Sequence, residues 1–167
     1  MKYARGASTI TQQLAKNVFL NPEKSMLRKL REAYLTLELE KNFSKVQILE
    51  KYLNVIEFGP NVFGVKAAAK YYFAKAPSDV NLVEAAFLAF VLPNPKEYQK
   101  SFERQDLTVF ARKRLQQIIR TLFRFGRISN EESAAAAELL GGTGWINEKA
   151  EEPIEPAEPA ESAEESD

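Results

Sequence analysis

The sequence predicts a mostly α-helical protein. Apolar residues recur at intervals of three and four along most of the first 140 positions, which is the spacing of residues on the buried face of a helix. No strand pattern of useful length is present. Three pairs of residues also have the spacing of a capping box at a helix start: Thr9 with Gln12, Ser44 with Gln47, and Asn81 with Glu84.

The domain organisation follows from length and composition. A chain of 167 residues with 45% hydrophobic content is large and apolar enough for one domain with a core. Residues 148–167 hold nine acidic residues, one lysine and a repeating pattern of Glu, Pro, Ala and Ser. Such a segment cannot bury enough apolar area to offset chain entropy. We therefore expect one domain over residues 1–147 and a disordered acidic tail over residues 148–167.

Seven helices are predicted, in order along the chain. The first, third and fifth begin at the three capping pairs, and the second follows Asn21-Pro22, a capping residue before a first-turn proline. Phe125-Gly126 and Gly141-Gly142 indicate that the sixth and seventh helices each end at a left-handed glycine. The predicted helices lie near residues 10–18, 23–41, 45–55, 64–73, 81–91, 107–125 and 130–140.

One apolar stripe stands out in the second predicted helix. Its members are separated by three and four residues and share one helical face, and they are Leu27, Leu30, Tyr34 and Leu37. We expect this stripe to face other helices.

The composition excludes several kinds of chemistry. Cysteine and histidine are both absent, so disulfides, thiolate nucleophiles, histidine proton shuttles and histidine metal ligands are excluded. Acid–base chemistry is left to carboxylates, lysine and tyrosine. Outside the acidic tail, 22 basic and 14 acidic residues leave a net charge of +8, which favours an anionic partner such as phosphate, nucleic acid or a membrane surface. The longest uncharged apolar run, residues 85–95, is too short to span a bilayer, so we expect neither a signal nor an anchor in this chain.

Two polar clusters are candidate binding groups. Arg28 and Glu32 are four residues apart and lie on one helical face, with Lys29 beside them. This pattern is either an exposed ion pair or an anion site in which guanidinium and ammonium groups hold phosphate oxygens. Gln13 and Lys16 share a face of the preceding helix, so two helices could converge on one ligand.

Four motifs occur in an order that resembles a known family. They are GASTITQQLAKN, RKLRE at residues 28–32, ILEKYLN at residues 48–54, and FGVKAAAKYYF at residues 63–73. Together they resemble motifs two to five of the peptidoglycan glycosyltransferases, glycosyltransferase family 51, over roughly residues 5–95. The stretch that begins at Asn54 most resembles the monofunctional biosynthetic transglycosylases.

The resemblance implies a lysozyme-like helical domain that polymerises lipid II into glycan strands. By motif match, Lys16 and Arg28 would hold the donor pyrophosphate, and Gln13 and Lys29 would help to shape that site. Glu32 would be the family's second glutamate, the catalytic candidate here. It would organise the phosphate-binding groups, a divalent metal (magnesium or manganese) or the leaving group.

The remaining motif residues are expected to be structural. Ser8, Thr9 and Gln12 are suited to capping the first helix beside the cleft. Glu50 is expected to support the fold by pairing with an arginine in the core. Tyr52 and Asn54 are expected to serve in packing and in hydrogen bonds at the helix end.

The family's first motif, whose glutamate is the catalytic base, has no counterpart in this sequence. Two functions therefore remain open: the carboxyl-terminal part of a glycosyltransferase domain, or a noncatalytic lipid-pyrophosphate binding or interaction protein. The expected partners are lipid II, the nascent glycan strand, a membrane surface reached through the lipid substrate, and cell-wall synthesis or division proteins, with no nucleic acid. The expected location is the outer, periplasmic face of the bacterial inner membrane.

Overall fold

The computed structural model describes residues 8–19, 25–104 and 106–142. It is mostly α-helical, as the sequence predicts. The longer helices are α1 (Ile10–Phe19), α2 (Met26–Asn42), α3 (Lys45–Val55), α4 (Val65–Phe73), α5 (Leu82–Val91), α8 (Val109–Arg124) and α9 (Asn130–Gly141). The shorter elements are strands β1 (Glu57–Gly59) and β2 (Val62–Phe63), a 3₁₀ turn (Pro77–Asp79), and the helices α6 (Pro95–Tyr98) and α7 (Lys100–Glu103).

The seven predicted helices are present, and their ends differ by a few residues. The three predicted capping boxes have also formed. At the start of α5, for example, the Asn81 side chain accepts from the Glu84 N–H at 3.0 Å, and the Glu84 carboxylate accepts from the Asn81 N–H at 2.8 Å. Asn21-Pro22 lies outside the described residues.

The small β-hairpin was missed by the sequence analysis. β1 and β2 are antiparallel, with Gly59 opposite Val62. The two residues between them include Asn61, whose φ is +61°, a left-handed conformation that asparagine tolerates in a tight turn. Strands of three and two residues are too short to show an alternating pattern, which is why the sequence shows no strand pattern of useful length.

The two glycine predictions have different outcomes. Gly126 follows α8 with φ +63°, so the prediction of a left-handed glycine is confirmed. Gly142 follows α9 with φ −77° and ψ 172°, an extended conformation, so the same prediction was wrong there.

The core is centred on α5, which is apolar on nearly every side. Val83, Phe87 and Val91 are almost completely buried, and α5 packs against both α8 and α9. On its other side Tyr72 meets Phe87 edge to face, with ring centroids 5.4 Å apart. The Tyr72 hydroxyl donates to the backbone oxygen of Phe58 at 2.8 Å, which ties α4 to the hairpin.

The prediction that the apolar stripe of α2 faces other helices was wrong. Leu27, Leu30, Tyr34 and Leu37 are 64–70% exposed. Instead, α2 buries the opposite side of its surface, through Glu32, Thr36 and Leu39. The periodicity of a helix identifies its faces, but which face is covered depends on the elements that pack against it.

Among the described residues, no helix combines the length and the apolar character needed to cross a membrane.

Candidate functional site

The candidate site begins with the cap of α2. Ser25 has an extended backbone, and its hydroxyl accepts from the Arg28 N–H at 3.1 Å. This cap starts the helix so that Arg28 and Lys29 fall in its first turn and Glu32 one turn later. Ser25 was not among the predicted caps, although a serine just before a periodic stretch is a recognised start signal.

Glu32 is buried and lies between two cations, Arg28 and Lys29. We call these three residues the cation cluster. The surface of Glu32 is 3% exposed, and one carboxylate oxygen accepts a hydrogen bond from Lys29 Nζ. The other oxygen lies 3.8 Å from Arg28 Nη1, an ion pair without a hydrogen bond. Burial of an unpaired carboxylate costs free energy. The two cations therefore stabilise Glu32 in its buried position. This arrangement differs from the exposed ion pair that spacing alone allowed.

Arg28 keeps donor capacity that its neighbours do not use. Its side chain is 19% exposed. Two of its nitrogen atoms, Nε and Nη1, are buried and have no hydrogen-bond partner within the described part of the chain. An unmet buried donor costs about 1–3 kcal/mol, and an oxyanion is a natural acceptor for a guanidinium group. The cluster is therefore suited to holding an anion.

Gln13 is fixed by a contact between helices. Its side-chain oxygen accepts from the Tyr52 hydroxyl at 3.1 Å, which joins α1 to α3. Burial raises the pKa of Tyr52 above its usual value, so the hydroxyl remains a donor at neutral pH. Tyr52 is 3% exposed, which agrees with the packing role expected for it. The contact uses the oxygen of the Gln13 amide and leaves its NH₂ group without a hydrogen-bond partner among the described residues.

Lys16 is not paired with Glu32, the carboxylate of the cation cluster. It is exposed on α1, and it makes no ion pair with any described residue. α1 packs against both α2 and α3, so Lys16 and Arg28 belong to adjacent helices. Their convergence on one ligand stays a prediction.

The polar residues at the start of α1 act mainly as a cap. Thr9 Oγ1 accepts from the Gln12 N–H at 3.2 Å, and Gln12 Oε1 accepts from the Thr9 N–H at 3.1 Å. Ser8 is exposed and precedes this box. The structural interpretation of Thr9 and Gln12 is thus supported by their contacts.

The expected pairing of Glu50 with a core arginine is not found. Glu50 is exposed, and it has no ion pair within the described residues. Its backbone oxygen accepts from Asn54 Nδ2 at 3.0 Å near the end of α3, as expected for a helix-end contact.

A groove of about 540 Å³ lies between α1, α3 and the end of α2. Its floor is apolar, with Leu14 and Leu39 among its residues, and Glu50, Lys51 and Asn54 contribute polar groups. None of the residues predicted to hold the pyrophosphate lines this groove. It is therefore separate from the cation cluster.

The described residues do not form a divalent-metal site by themselves. They contain no group of three or more acidic side chains placed to share an ion. Glu32, the one carboxylate of the cluster, already faces Lys29 and Arg28, and these cations would repel a metal. Magnesium and manganese both prefer several oxygen ligands, so the residues do not fit such an ion unaided.

The comparison with known proteins gives the family. Residues 1–122 match the Transglycosylase family, a range that contains the cation cluster and all four sequence motifs. The chain belongs to the transglycosylase family. The resemblance inferred from the motifs is confirmed.

Several curated proteins are similar to the chain in sequence, each called a biosynthetic peptidoglycan transglycosylase. The protein from Aromatoleum aromaticum is 55% identical over 97 residues, which are 58% of this chain and 42% of that protein. The protein from Methylobacillus flagellatus is 49% identical over 111 residues, 66% of this chain and 48% of that protein. One from Acinetobacter baumannii is 47% identical over 110 residues, with 66% and 48% covered. The chain thus spans about half the length of the curated relatives it matches.

Proposed function

We propose that the chain supplies the donor-binding part of a peptidoglycan glycosyltransferase, which polymerises lipid II into glycan strands in bacterial cell-wall synthesis. The observation that carries the proposal is the state of Arg28: its buried Nε and Nη1 atoms have no described partner. Membership of the transglycosylase family and the names of the curated relatives support peptidoglycan as the product.

The proposed ligand of the cluster is the pyrophosphate of a lipid-linked sugar donor. Arg28 would offer its planar guanidinium to two phosphate oxygens, and Lys29 would offer a compact ammonium group. Glu32 would hold these cations in place, because it bonds to one and attracts the other. Gln13 and Lys16 would complete the site from α1.

The cluster would act on the leaving group. When the glycosyl bond breaks, negative charge grows on the departing pyrophosphate. Cations already fixed in place bind that charge more strongly in the transition state than in the ground state, and such a difference lowers the barrier. Removal of the acceptor proton is a separate step, to which no described residue is assigned.

The proposed partners are lipid II, the nascent glycan strand and, through the lipid, a membrane surface. Cell-wall synthesis and division proteins are further proposed partners. The proposed location is the outer face of the bacterial inner membrane, where a lipid-linked sugar donor would be polymerised.

The test is titration of the full chain with farnesyl pyrophosphate, a soluble short-chain lipid pyrophosphate. Arg28→Ala should weaken binding by about tenfold or more, because a charge-assisted hydrogen bond is worth about 1.5–3 kcal/mol. Lys41→Ala is the matched control, since it removes a cation at the other end of α2 and should leave the affinity unchanged. Equal affinities of wild type and Arg28→Ala would refute the proposed site.

A second assay separates the two functions left open by the sequence. The chain is incubated with labelled lipid II, and the products are separated on a gel. A glycan ladder that disappears in Glu32→Gln supports transferase activity. Because the first-motif glutamate has no counterpart in this sequence, the assay is repeated with a version extended by a segment that carries that motif. Binding of farnesyl pyrophosphate with no ladder from the extended version supports a noncatalytic lipid-pyrophosphate binding protein.

A further inference from the structure

The outer face of α8 carries a concentration of positive charge. Between Val109 and Arg124 there are five cations and no acidic residue. The cations are Arg112, Lys113, Arg114, Arg120 and Arg124. A sixth, Arg127, is exposed just beyond the helix.

Three of these cations form a row along the helix. Ala111, Leu115 and Ile119 are buried and mark the inner face of α8. At 100° per residue, Lys113, Arg120 and Arg124 lie within about 40° of one another on the opposite side. We call these three residues the α8 cation stripe, and all three are exposed. The rise of a helix places Lys113 and Arg120 about 10 Å apart along the axis.

The stripe has no carboxylate partner among the described residues. No ion pair within 4.0 Å joins a residue of α8 to another described residue, although α9, which carries Glu131, Glu132 and Glu138, packs against this helix. Arg124 lies over the Phe125 ring at 5.3 Å. Unpaired cations of one sign repel one another and attract a polyanion.

A segment of the same chain has the matching charge and spacing. Between positions 152 and 164, glutamate occurs at every third residue, and proline follows the first three of these glutamates. Three residues of chain span at most about 10 Å. The glutamates are therefore spaced closely enough along the chain to match the separation of Lys113 and Arg120 along the helix axis.

The chain connection allows this segment to reach α8. α8 and α9 pack against each other and are joined by five residues, so they form an antiparallel hairpin. The end of α9 at Gly141 therefore returns toward the start of α8. Glu152 lies eleven positions after Gly141, a span of up to about 35 Å, whereas α8 is about 24 Å long.

We propose that residues 148–167 bind the α8 cation stripe as an intramolecular ligand and compete there with external polyanions. Each exposed pair is weak and is screened by salt. Because the acidic segment is part of the same chain, its effective concentration near the stripe is in the millimolar range. This concentration offsets the weakness of each ion pair. The contact is displaceable, so an anionic membrane surface or polymer that binds more strongly would exchange with the segment.

The test uses the absence of cysteine from the chain. Ser162→Cys carries a spin label on the acidic segment of the full chain, and amide relaxation is measured by NMR. Relaxation enhancement should be greatest at the stripe. It should fall by at least about twofold between about 0.1 M and 1 M salt, because the Debye length shortens from about 10 Å to about 3 Å.

Two double variants each remove two positive charges, one variant from α8 and the other from α4. Arg120→Gln with Arg124→Gln should abolish the enhancement at Lys113. Lys66→Gln with Lys70→Gln, two exposed cations of α4, should leave it unchanged. Equal enhancement at α4 and α8, or equal effects of the two double variants, would overturn the proposal.

Competition is measured with vesicles of phosphatidylglycerol and phosphatidylcholine. A chain with Glu152, Glu155, Glu158 and Glu161 changed to Gln should bind them at least about fivefold more tightly than wild type, the factor that one uncovered cation contributes at an anionic surface. Equal binding of the two chains would refute the competition.

Discussion

Arg28 Nη1 lies 3.8 Å from Glu32 Oε2, near enough for charge attraction and too far for a hydrogen bond. Because Lys29 Nζ donates to the other oxygen of the same carboxylate, Glu32 holds one cation firmly and the other loosely. The guanidinium group of Arg28 thus has donors without a partner among the described residues, beside a fixed negative charge. This incomplete pairing is the basis for proposing that Arg28 binds a second anion.

Arg28→Lys tests whether pyrophosphate binding needs the planar guanidinium group of arginine or only its positive charge. Lysine keeps the charge but offers a single ammonium group in place of two parallel donors. We expect affinity for farnesyl pyrophosphate to fall by about tenfold, the equivalent of about 1.4 kcal/mol or one charge-assisted hydrogen bond. Calorimetric titration measures it. Arg31→Lys, on an exposed position of the same helix, should change nothing, and a similar loss there would argue against a specific role of the Arg28 guanidinium group.

Glu32→Gln should destabilise the protein as well as alter the site. The change removes the charge that balances Lys29 and Arg28, and it weakens a hydrogen bond to an ionised group. We expect the free energy of unfolding to fall by about 1–3 kcal/mol, because Lys29 is 59% exposed and its share is screened by water. Urea denaturation measures this quantity. Glu40→Gln, at an exposed position of the same helix, is the control and should have an effect below about 0.5 kcal/mol.

Lys75→Ala should cost more stability than an ordinary surface substitution. Lys75 Nζ donates to Glu84 at 2.8 Å, and the Glu84 side chain is only 1% exposed. Loss of the lysine would leave a buried carboxylate without its cation, a defect that typically costs about 3–5 kcal/mol. Since Lys75 is itself 27% exposed, we expect about 2–3 kcal/mol, measured by urea denaturation. Lys70→Ala removes an exposed cation of α4, and an equal loss there would show that the pair is unimportant.

Alkaline pH should unfold the protein partly through its buried tyrosines. Burial raises the pKa of Tyr72, as do the nearby Tyr71 and Glu103. A pKa that is higher in the folded state than the unfolded value of about 10 gives stability that is complete below about pH 10. That stability is lost as pH rises toward the folded-state pKa, because the unfolded chain releases its proton first.

Tyr72→Phe should therefore make the loss of stability between about pH 10 and pH 11 less steep. The variant should also be less stable at neutral pH by about 0.5–1.5 kcal/mol, because its hydrogen bond to Phe58 is lost. Urea denaturation at several pH values separates the two effects. Tyr34→Phe, which changes a tyrosine that is 64% exposed, should reproduce neither effect.

Substitutions in the apolar stripe of α2 should be nearly neutral for folding of this chain. Leu30 and Leu37 are 69% and 67% exposed, so Leu30→Gln with Leu37→Gln should change the free energy of unfolding by less than about 1 kcal/mol. Leu39→Ala, on the buried side of the same helix, should cost about 2–5 kcal/mol. A comparable loss from both would mean that the stripe is covered in solution.

The local features of this protein were accessible from its sequence. The capping pair of Ser44 and Gln47 fixes the start of α3 through contacts across three residues, and Gly126 ends α8 through its own backbone freedom. The four motifs likewise identified the family, because their order and spacing are properties of the sequence. Such features depend on residues that are close together in the chain.

Burial and pairing were decided by tertiary structure. The helical period of α2 identified the stripe of Leu30 and Leu37 as one face. It did not indicate that the opposite face, which carries Glu32, would be the buried one. Burial of a face depends on packing against other helices, and α2 packs against α1, a separate helix. No described arginine pairs with Glu50, and its neighbours could not be read from its place in the helix. The hydrogen bond from Tyr52 to Gln13 likewise joins residues 39 positions apart. The sequence alone located the helices to within a few residues and identified the family of the chain. The fold decided which charges are buried and which donors remain unused, because the free energy of a polar group depends on neighbours that only the packed structure brings to it.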